Sequence, residues 1–485
     1  MAATNADTGG GQRLTLDVTR IEGHGRITIQ LDGRGRVTDA AFHVTQFRGF
    51  EKIVDGRTYA ELPAIMARIC GICPVSHLIA SAKAGDQILA VTPPPTAVAL
   101  RRVVNLAQLI QSHALSFFYL SAPDLLLGMD AAPAERNLLH LGRVQPEFAR
   151  DGVRLRQMGQ QVIEWLTGRR IHPSWIVAGG VETPLSAEHR DRIAALAPEG
   201  IAITERMLDW FVSILPRFED EIAAFANFPS GFMSLIGPGG DLEYYDGTLR
   251  LIDADGRVLH DLTDPAAYAD MIGEAVEPHT YLKYPYFRPL GYPAGSYRVG
   301  PLARLNVAAR CGTPRADAWL PRFRALAPTP DRPVAASFHY HLARLIEILH
   351  GFERIDELMA WPGILDPRVR AEAVVNRLEG VGLAEAPRGT LLHHYRVNAG
   401  GQVEWVNLII ATGHNNMAMN QGVRQAAERF VRGDRLQEGM LNRVEAVVRA
   451  FDPCLSCSTH ALGRMPLLIE LVGPDGAVLD TLRRD

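Results

Sequence analysis

RICGICPVSH (residues 68–77) and DPCLSCSTH (residues 452–460) each carry a Cys-x-x-Cys pair, Cys70/Cys73 and Cys454/Cys457, at opposite ends of a 485-residue chain. Two residues between cysteines let both sulfurs reach one ion, and a thiolate is a soft ligand suited to nickel, zinc, copper(I) or iron. Four thiolates make a complete coordination set, so the spacing points to a shared metal site. For pairs about 380 positions apart to meet, the C-terminal segment must fold back on the N-terminal one. Length alone allows about three domains, but this requirement implies one interlocked body. The fifth cysteine, Cys311 in AARCGTP, has no partner at ligand spacing and reads as an ordinary half-buried thiol.

Composition bounds the setting. At 47% hydrophobic the chain can bury a sizeable core, and 21% charged residues with a net charge of -4 give no electrostatic reason to bind nucleic acid or an anionic membrane. No run approaches the length of a membrane span, and the opening MAATNADTGGGQR lacks a basic region followed by an apolar core. A soluble, cytoplasmic chain is the expectation. Few cysteines, none arranged as a secreted framework, fit a reducing compartment.

Apolar periodicity gives the fold class: α+β, mostly α, a long-helix bundle core with a small N-terminal antiparallel sheet and β/loop insertions. Leu14, Leu16 and Val18, then Ile27, Ile29 and Leu31, alternate with polar residues around the turn DGRG (32–35). Helical spacing runs from Leu62 to about Ala90, placing Cys70 and Cys73 near a helix start, and again over 96–120, 147–168, 186–227, 334–360, 366–380, 415–432 and 436–451. Leu208, Phe211, Leu215, Phe218, Ile222 and Phe225 mark one long apolar stripe. Residues 229–300, rich in Gly, Pro and Tyr, read as an irregular β insertion; hairpins are expected around NAGG (398–401) and GPDG (473–476).

Two Cys-x-x-Cys pairs alone more often mark a structural zinc knot than a catalytic centre. Structural zinc, however, mostly stabilises small modules with nearby ligand pairs, and this chain has ample core and widely separated pairs. Thioredoxin-like chemistry needs only one pair in a βαβ setting, which neither pair has. No phosphate-binding glycine motif is present, so a nucleotide cofactor must bind elsewhere. There is also no spare cysteine set for an iron-sulfur cluster, so electrons must leave through another subunit.

Together with the two cysteine motifs, RIEGHGRI (20–27), FRGFEKI (47–53) and EAPRGTL (385–391) resemble the large subunit of nickel-iron hydrogenases. HALGRMP (460–466) and ASAKAGD (80–86) are most similar to the cytoplasmic NAD-reducing type. The resemblance implies that Cys70 and Cys454 are terminal thiolates on nickel. Cys73 and Cys457 would bridge nickel to an iron carrying carbon monoxide and cyanide. Glu22 would relay protons from the site, with Cys454 the first acceptor. Arg388, beside Pro387, would hang over the open face of the centre and hold one cyanide, and the Thr412 hydroxyl would donate to the other. Where relatives often have Trp-Asn soon after that hydroxyl, this chain has His414 and Asn415. Asp124 matches an acid near Arg388, with a helix cap as its plain reading. Glu51, the carbonyl of Leu408 and His460 match magnesium ligands. His77 and His113 are at least as readily satisfied core histidines, and His393 and His394 read as strand residues without a special role.

The implied reaction is reversible heterolytic cleavage of molecular hydrogen. Its implied partners are an iron-sulfur small subunit, flavin (FMN) and NAD diaphorase subunits, a maturation chaperone and a C-terminal endopeptidase. That protease would cut after His460, leaving residues 1–460 as the catalytic domain and releasing 461–485 as a propeptide. A hydrogen-sensing regulatory subunit, a quinone-binding subunit of the same descent and a structural zinc protein are the alternatives.

Overall fold

The computed structural model describes residues 3–6, 12–432, 437–459, 467–472 and 478–484, and the side chains of 13–432 and 437–459. Alternation at the N-terminus forms strands β1 (Gln12–Asp17), β2 (Gly25–Leu31) and β3 (Val37–Val44), paired antiparallel in that order, with Ala3–Ala6 on the outer edge of β1. Leu14 faces Ile29, Leu16 faces Ile27, and Ile27 faces Phe42, so the apolar residues share one buried face.

The cysteine segment is less helical than its periodicity suggests. Leu62–Met66 and a single tight turn at Ala67–Ile69 lead into an extended Cys70, and α1 (Pro74–Leu89) begins with Cys73 at its N-cap. Pro74 occupies the first helical position, where a missing N–H costs nothing. The cysteines therefore sit just ahead of the helix. Helix α2 (Pro95–Ala114) continues as a π-helical segment over Leu115–Ser121. Together with α3 (Pro146–Thr167), α4 (Ala197–Ile214) and α5 (Tyr340–Ala360) it builds the helical core.

Two expectations give way. The stripe over 186–227 is broken into three α-helices, Ala187–Ala194, α4 and Glu219–Ala224: Pro198 sits in the first turn of α4, and Pro216 lies in the tighter turn Leu215–Phe218 after it, since neither proline can continue the hydrogen-bond ladder. Its members still face the core: Leu208, Phe211, Leu215, Phe218 and Phe225 are buried. No helix forms over 366–380. Most of that stretch is exposed, leaving an amphipathic helix nothing to cover, and its backbone pairs elsewhere: Val181 N–H with the Val369 carbonyl, Ala371 N–H with Gly179, and the Asn376 and Arg377 N–H groups with Ile88.

The insertion forms strands β4 (Gly231–Ile236), β5 (Thr248–Ile252) and β6 (Val258–Leu262), with Tyr297–Arg298 parallel to β4. A second sheet, β7 (Glu379–Ala386), β8 (Gly389–Val397) and β9 (Val403–Ile409), contains the expected NAGG hairpin and one strand the sequence reading missed. Helix α1 lies directly on β7. A Cβ at Gly382 would fall 1.7 Å from the Ala80 carbonyl oxygen, and one at Gly380 2.2 Å from that of Ala84, so only glycine permits this approach. Helices α6 (Asn416–Phe430) and α7 (Glu438–Phe451) carry the chain back to Cys454, and Leu467–Val472 pairs with Val478–Arg484 around GPDG.

Candidate metal centre

The four cysteines of the two motifs meet. Their Sγ atoms all lie within 4.8 Å of one another and all four residues are buried. Cys70 and Cys454 Sγ are 3.3 Å apart, Cys73 and Cys457 3.8 Å, and Cys454 and Cys457 2.6 Å. On the N-terminal side, the Ile72 and Cys73 backbone N–H groups donate to Cys70 Sγ. On the C-terminal side, Asp452 adopts a left-handed conformation that ends α7, and Cys457 lies in the single turn Leu455–Ser458. Cys311 is buried away from this set, its thiol pushed up by burial.

Charge decides what such a set can hold. Burial disfavours the Cys70 thiolate, but the other three sulfurs and the Arg388 guanidinium hold Cys70 well below the ordinary range. Cys454 and Cys457 are pushed up by burial and by their neighbours. Ionising all four sulfurs in so small a buried volume would require a cation beyond Arg388, which brings a single positive charge. Buried, soft and convergent, the donor set fits a thiolate-bound transition metal centre.

Around the sulfurs, the residues singled out from sequence are mostly assembled. Arg388 is buried in the turn between β7 and β8, and its charge is sustained against burial by Asp452, Cys454, Cys73 and Cys70. It donates from Nε to the Asp452 carbonyl at 2.5 Å, from Nη2 to Asp452 Oδ1 at 3.0 Å, and from Nη1 to Ser112 Oγ at 3.4 Å. Thr412 Oγ1 accepts the Cys454 N–H at 2.9 Å, leaving its own hydrogen to donate. Glu22 reaches the same segment: its carbonyl accepts the Leu455 N–H at 3.1 Å, and its carboxylate accepts the Ser456 N–H at 3.1 Å and the Ser456 hydroxyl. Beside them a 360 Å³ cleft is lined by His24, Phe47, Arg48, Tyr281, Ser456 and Thr459.

Asp124 is a correction. Its carboxylate accepts from Arg20 at 2.6 Å, Arg449 at 2.5 Å and Asn442 at 3.1 Å, while the acid bonded to Arg388 is Asp452. Asp452 lies in the DPCLSCSTH motif itself, two residues before Cys454, which was the signal available. Glu51 is buried in Phe50–Ile53 and Leu408 in β9, opposite His393. His460 lies outside the described residues; its neighbour Thr459 accepts the Arg48 N–H through its carbonyl at 2.9 Å.

Other polar groups were not legible from motifs. Arg304 donates to both Glu347 oxygens, to Glu385, and to the carbonyls of Ala386 and Pro387, so it holds the turn that presents Arg388. His113 bonds to Glu347 at 2.7 Å, as a satisfied core histidine does; burial lowers it to about 4, so it is neutral. His393 is more than a plain strand residue. Its ring lies 3.1 Å from His77 Nδ1 and 2.6 Å from the Tyr395 hydroxyl, which donates to Ser81. His414 bonds to the Tyr297 hydroxyl at 2.7 Å, and Asn415 accepts the Val299 N–H.

A helical bundle that brings cysteine pairs from both ends of the chain together beside a buried arginine defines a protein with a four-cysteine site able to hold a metal. The model for nickel-dependent hydrogenases matches residues 48–139 and 244–460, and a HoxL-like model matches 15–47. The chain is 42% identical to the beta subunit of the NAD-reducing hydrogenase HoxS of Cupriavidus necator, covering 98% of this chain and 100% of that one. It is 37% identical to one chain of the F420-non-reducing hydrogenase vhc of Methanococcus voltae, covering 96% and 98%. Among solved structures, an NAD+-reducing nickel-iron hydrogenase in the H2-reduced state superposes with a TM-score of 0.89 at 44% identity, over 94% of this chain and 100% of that one. The nickel-iron-selenium hydrogenase of D. vulgaris Hildenborough shares the fold, with a TM-score of 0.74 at 23% identity over 93% of this chain and 100% of that one. This chain belongs to the nickel-dependent hydrogenase family and is an enzyme of the nickel-iron type.

Proposed function

We propose that this chain is the catalytic large subunit of a cytoplasmic hydrogenase complex that splits molecular hydrogen reversibly and delivers the electrons to NAD. The convergence of four buried sulfurs from both ends of the chain carries this reading. The 42% identity to a NAD-reducing relative, over nearly the whole chain, supports the choice of acceptor. Cys70, Cys73, Cys454 and Cys457 would hold nickel and iron. When bound, that centre supplies the polarising charge that lets hydrogen part into a proton and a hydride equivalent.

The protein's own residues do the rest. Arg388, fixed by Asp452 and by the Arg304-braced turn at Pro387, would offer its remaining N–H donors to one cyanide, and the Thr412 hydroxyl hydrogen would serve the other. The Cys454 sulfur takes the proton first. Glu22 receives it next: its carboxylate is tied to Ser456, within the same turn as Cys457. Glu51, the Leu408 carbonyl and His460 would hold magnesium; the Arg48–Thr459 bond brings the end of the C-terminal segment beside the helix that bears Glu51.

Among the described residues the one cysteine outside the centre is the buried Cys311, so iron-sulfur clusters would belong to a small subunit; FMN and NAD would belong to diaphorase subunits. No described helix is long and apolar enough to cross a membrane. A chaperone and an endopeptidase would complete maturation by removing residues 461–485. The test is purification with partner chains. Equal nickel and iron with hydrogen-dependent NAD reduction is expected; zinc alone, with no hydrogen uptake, would overturn the proposal.

A further inference from the structure

Glu22 lies in the loop between β1 and β2, outside any helix or strand longer than a single bridge. A proton relay needs its carboxylate held to within a fraction of an ångström, which such a loop does not provide by itself. The loop is also strained: Arg20, two residues earlier, sits at φ 57°, a conformation that side-chain-bearing residues keep only when their surroundings impose it.

What imposes it comes from far along the chain. Thr19 N–H and Oγ1 both donate to Glu445 Oε2, at 2.9 and 2.7 Å, and the Thr19 carbonyl accepts from Arg449 Nε at 3.2 Å. Arg20 donates to the Leu120 carbonyl at 2.8 Å and to Asp124 Oδ1 at 2.6 Å. Arg449 joins the two grips, bonding Asp124 Oδ2 and Glu445 Oε2, and Asn442 donates to Asp124 Oδ1. Asp124 and Arg449 are almost wholly buried, and Arg449 and Arg20 keep the Asp124 carboxyl ionised against the effect of burial. The N–H, hydroxyl and carbonyl of Thr19 and both terminal nitrogens of Arg20 are therefore bonded to α7 or to the 115–127 segment.

We propose that Asp124, Glu445 and Arg449 form a clamp on the Thr19–Arg20 turn, and that the clamp sets the Glu22 carboxylate against the Cys454–Cys457 segment for proton transfer. Asp124 is then a positioning residue acting through Glu22, an assignment that rests on Glu22 being the relay.

The test uses the assembled complex, with nickel content, amide hydrogen exchange of residues 18–23 by mass spectrometry, and isotope exchange between D2 and water. Asp124→Asn keeps the shape of the side chain and removes its charge. With nickel retained, it is expected to speed amide exchange over 18–23 and to lower isotope exchange about tenfold, since small misplacements of a reacting group cost at least that much. In a Glu22→Gln background the same substitution should produce no further loss. An equal fold-loss in both backgrounds, or unchanged amide and isotope exchange, overturns the clamp while leaving the relay standing. Wild-type isotope exchange in Glu22→Gln alone sinks the relay and the clamp's role with it. If Asp124→Asn fails to load metal, Glu445→Gln decides by the same comparison, because it loosens Thr19 without touching Asp124.

Discussion

Replacing Gly382 by Ala tests how the sulfurs from the two ends are brought into register. The new Cβ would stand 1.7 Å from the Ala80 carbonyl oxygen and 2.7 Å from the Ala84 nitrogen, both backbone atoms of α1. Restoring even a tight contact forces α1 and β7 apart by roughly 1.3 Å, and no flexible side chain can yield instead. Overpacking on this scale costs about 3 kcal/mol. Unfolding entropy is about 2.1 cal/mol/K per residue. Over 485 residues, that cost lowers the thermal midpoint by about 3 °C.

The larger effect falls on the centre, because α1 begins at Cys73 and sulfur placement tolerates only about half an ångström. Disturbing the support of metal ligands costs about 10–100-fold in affinity, so nickel and iron per chain should drop to about one tenth in the purified complex, with hydrogen uptake falling in proportion. Gly142→Ala is the control, since its Cβ meets nothing nearer than Ala149 at 4.0 Å, and it should load metal normally. Full metal loading and an unchanged midpoint in Gly382→Ala would refute the idea that this helix–strand contact sets the sulfur geometry.

Three further outcomes are expected. Arg388→Met removes the guanidinium bonded to the buried Asp452 and leaves Arg344 as its remaining cationic neighbour, so it should cost about 3 kcal/mol; adding Asp452→Asn should recover most of this in thermal melts, and an unperturbed single variant would contradict the pairing. His339 is held at about 4 by burial, below its ordinary 6.5, so the unfolded chain takes up the proton first as the solution is acidified. Its contribution is complete above pH 6.5 and is lost as pH falls towards 4, the loss amounting to about 2 kcal/mol by pH 5; His339→Gln should flatten melting profiles over that window, and identical profiles would exclude His339 as a source of acid sensitivity. Finally, intact mass of the active complex should show a chain ending at His460, and turnover by protein retaining Asp485 would rule out the proposed trimming.

Much of this was legible because thiol chemistry constrains spacing so strongly. Two Cys-x-x-Cys pairs required the chain ends to meet, and the alternation of Leu14, Leu16, Ile27 and Ile29 fixed the N-terminal sheet. Glu22, Arg388 and Thr412 came from resemblance, and the structure places each within reach of the cysteine segments. What the sequence could not show was tertiary pairing. Residues 366–380 have helical spacing but no face to bury, so their backbone bonds went to Gly179, Val181 and Ile88. Arg304, Glu347, Glu385 and Arg449 carry no motif; as charged residues their default reading is solvent exposure, and only the fold reveals that they are buried and matched. Asp124 and Asp452 show the same limit. Both are buried acids facing arginines, and only the geometry tells which one holds Arg388.

Nickel-edge X-ray absorption on the mature complex bears most directly on the claim that sulfurs from both ends surround one metal pair. The expected spectrum shows nickel with four sulfur neighbours, the number that converge here, and an iron scatterer close by. Nickel bound by nitrogen and oxygen, or a site filled with zinc and free of nickel, would contradict it.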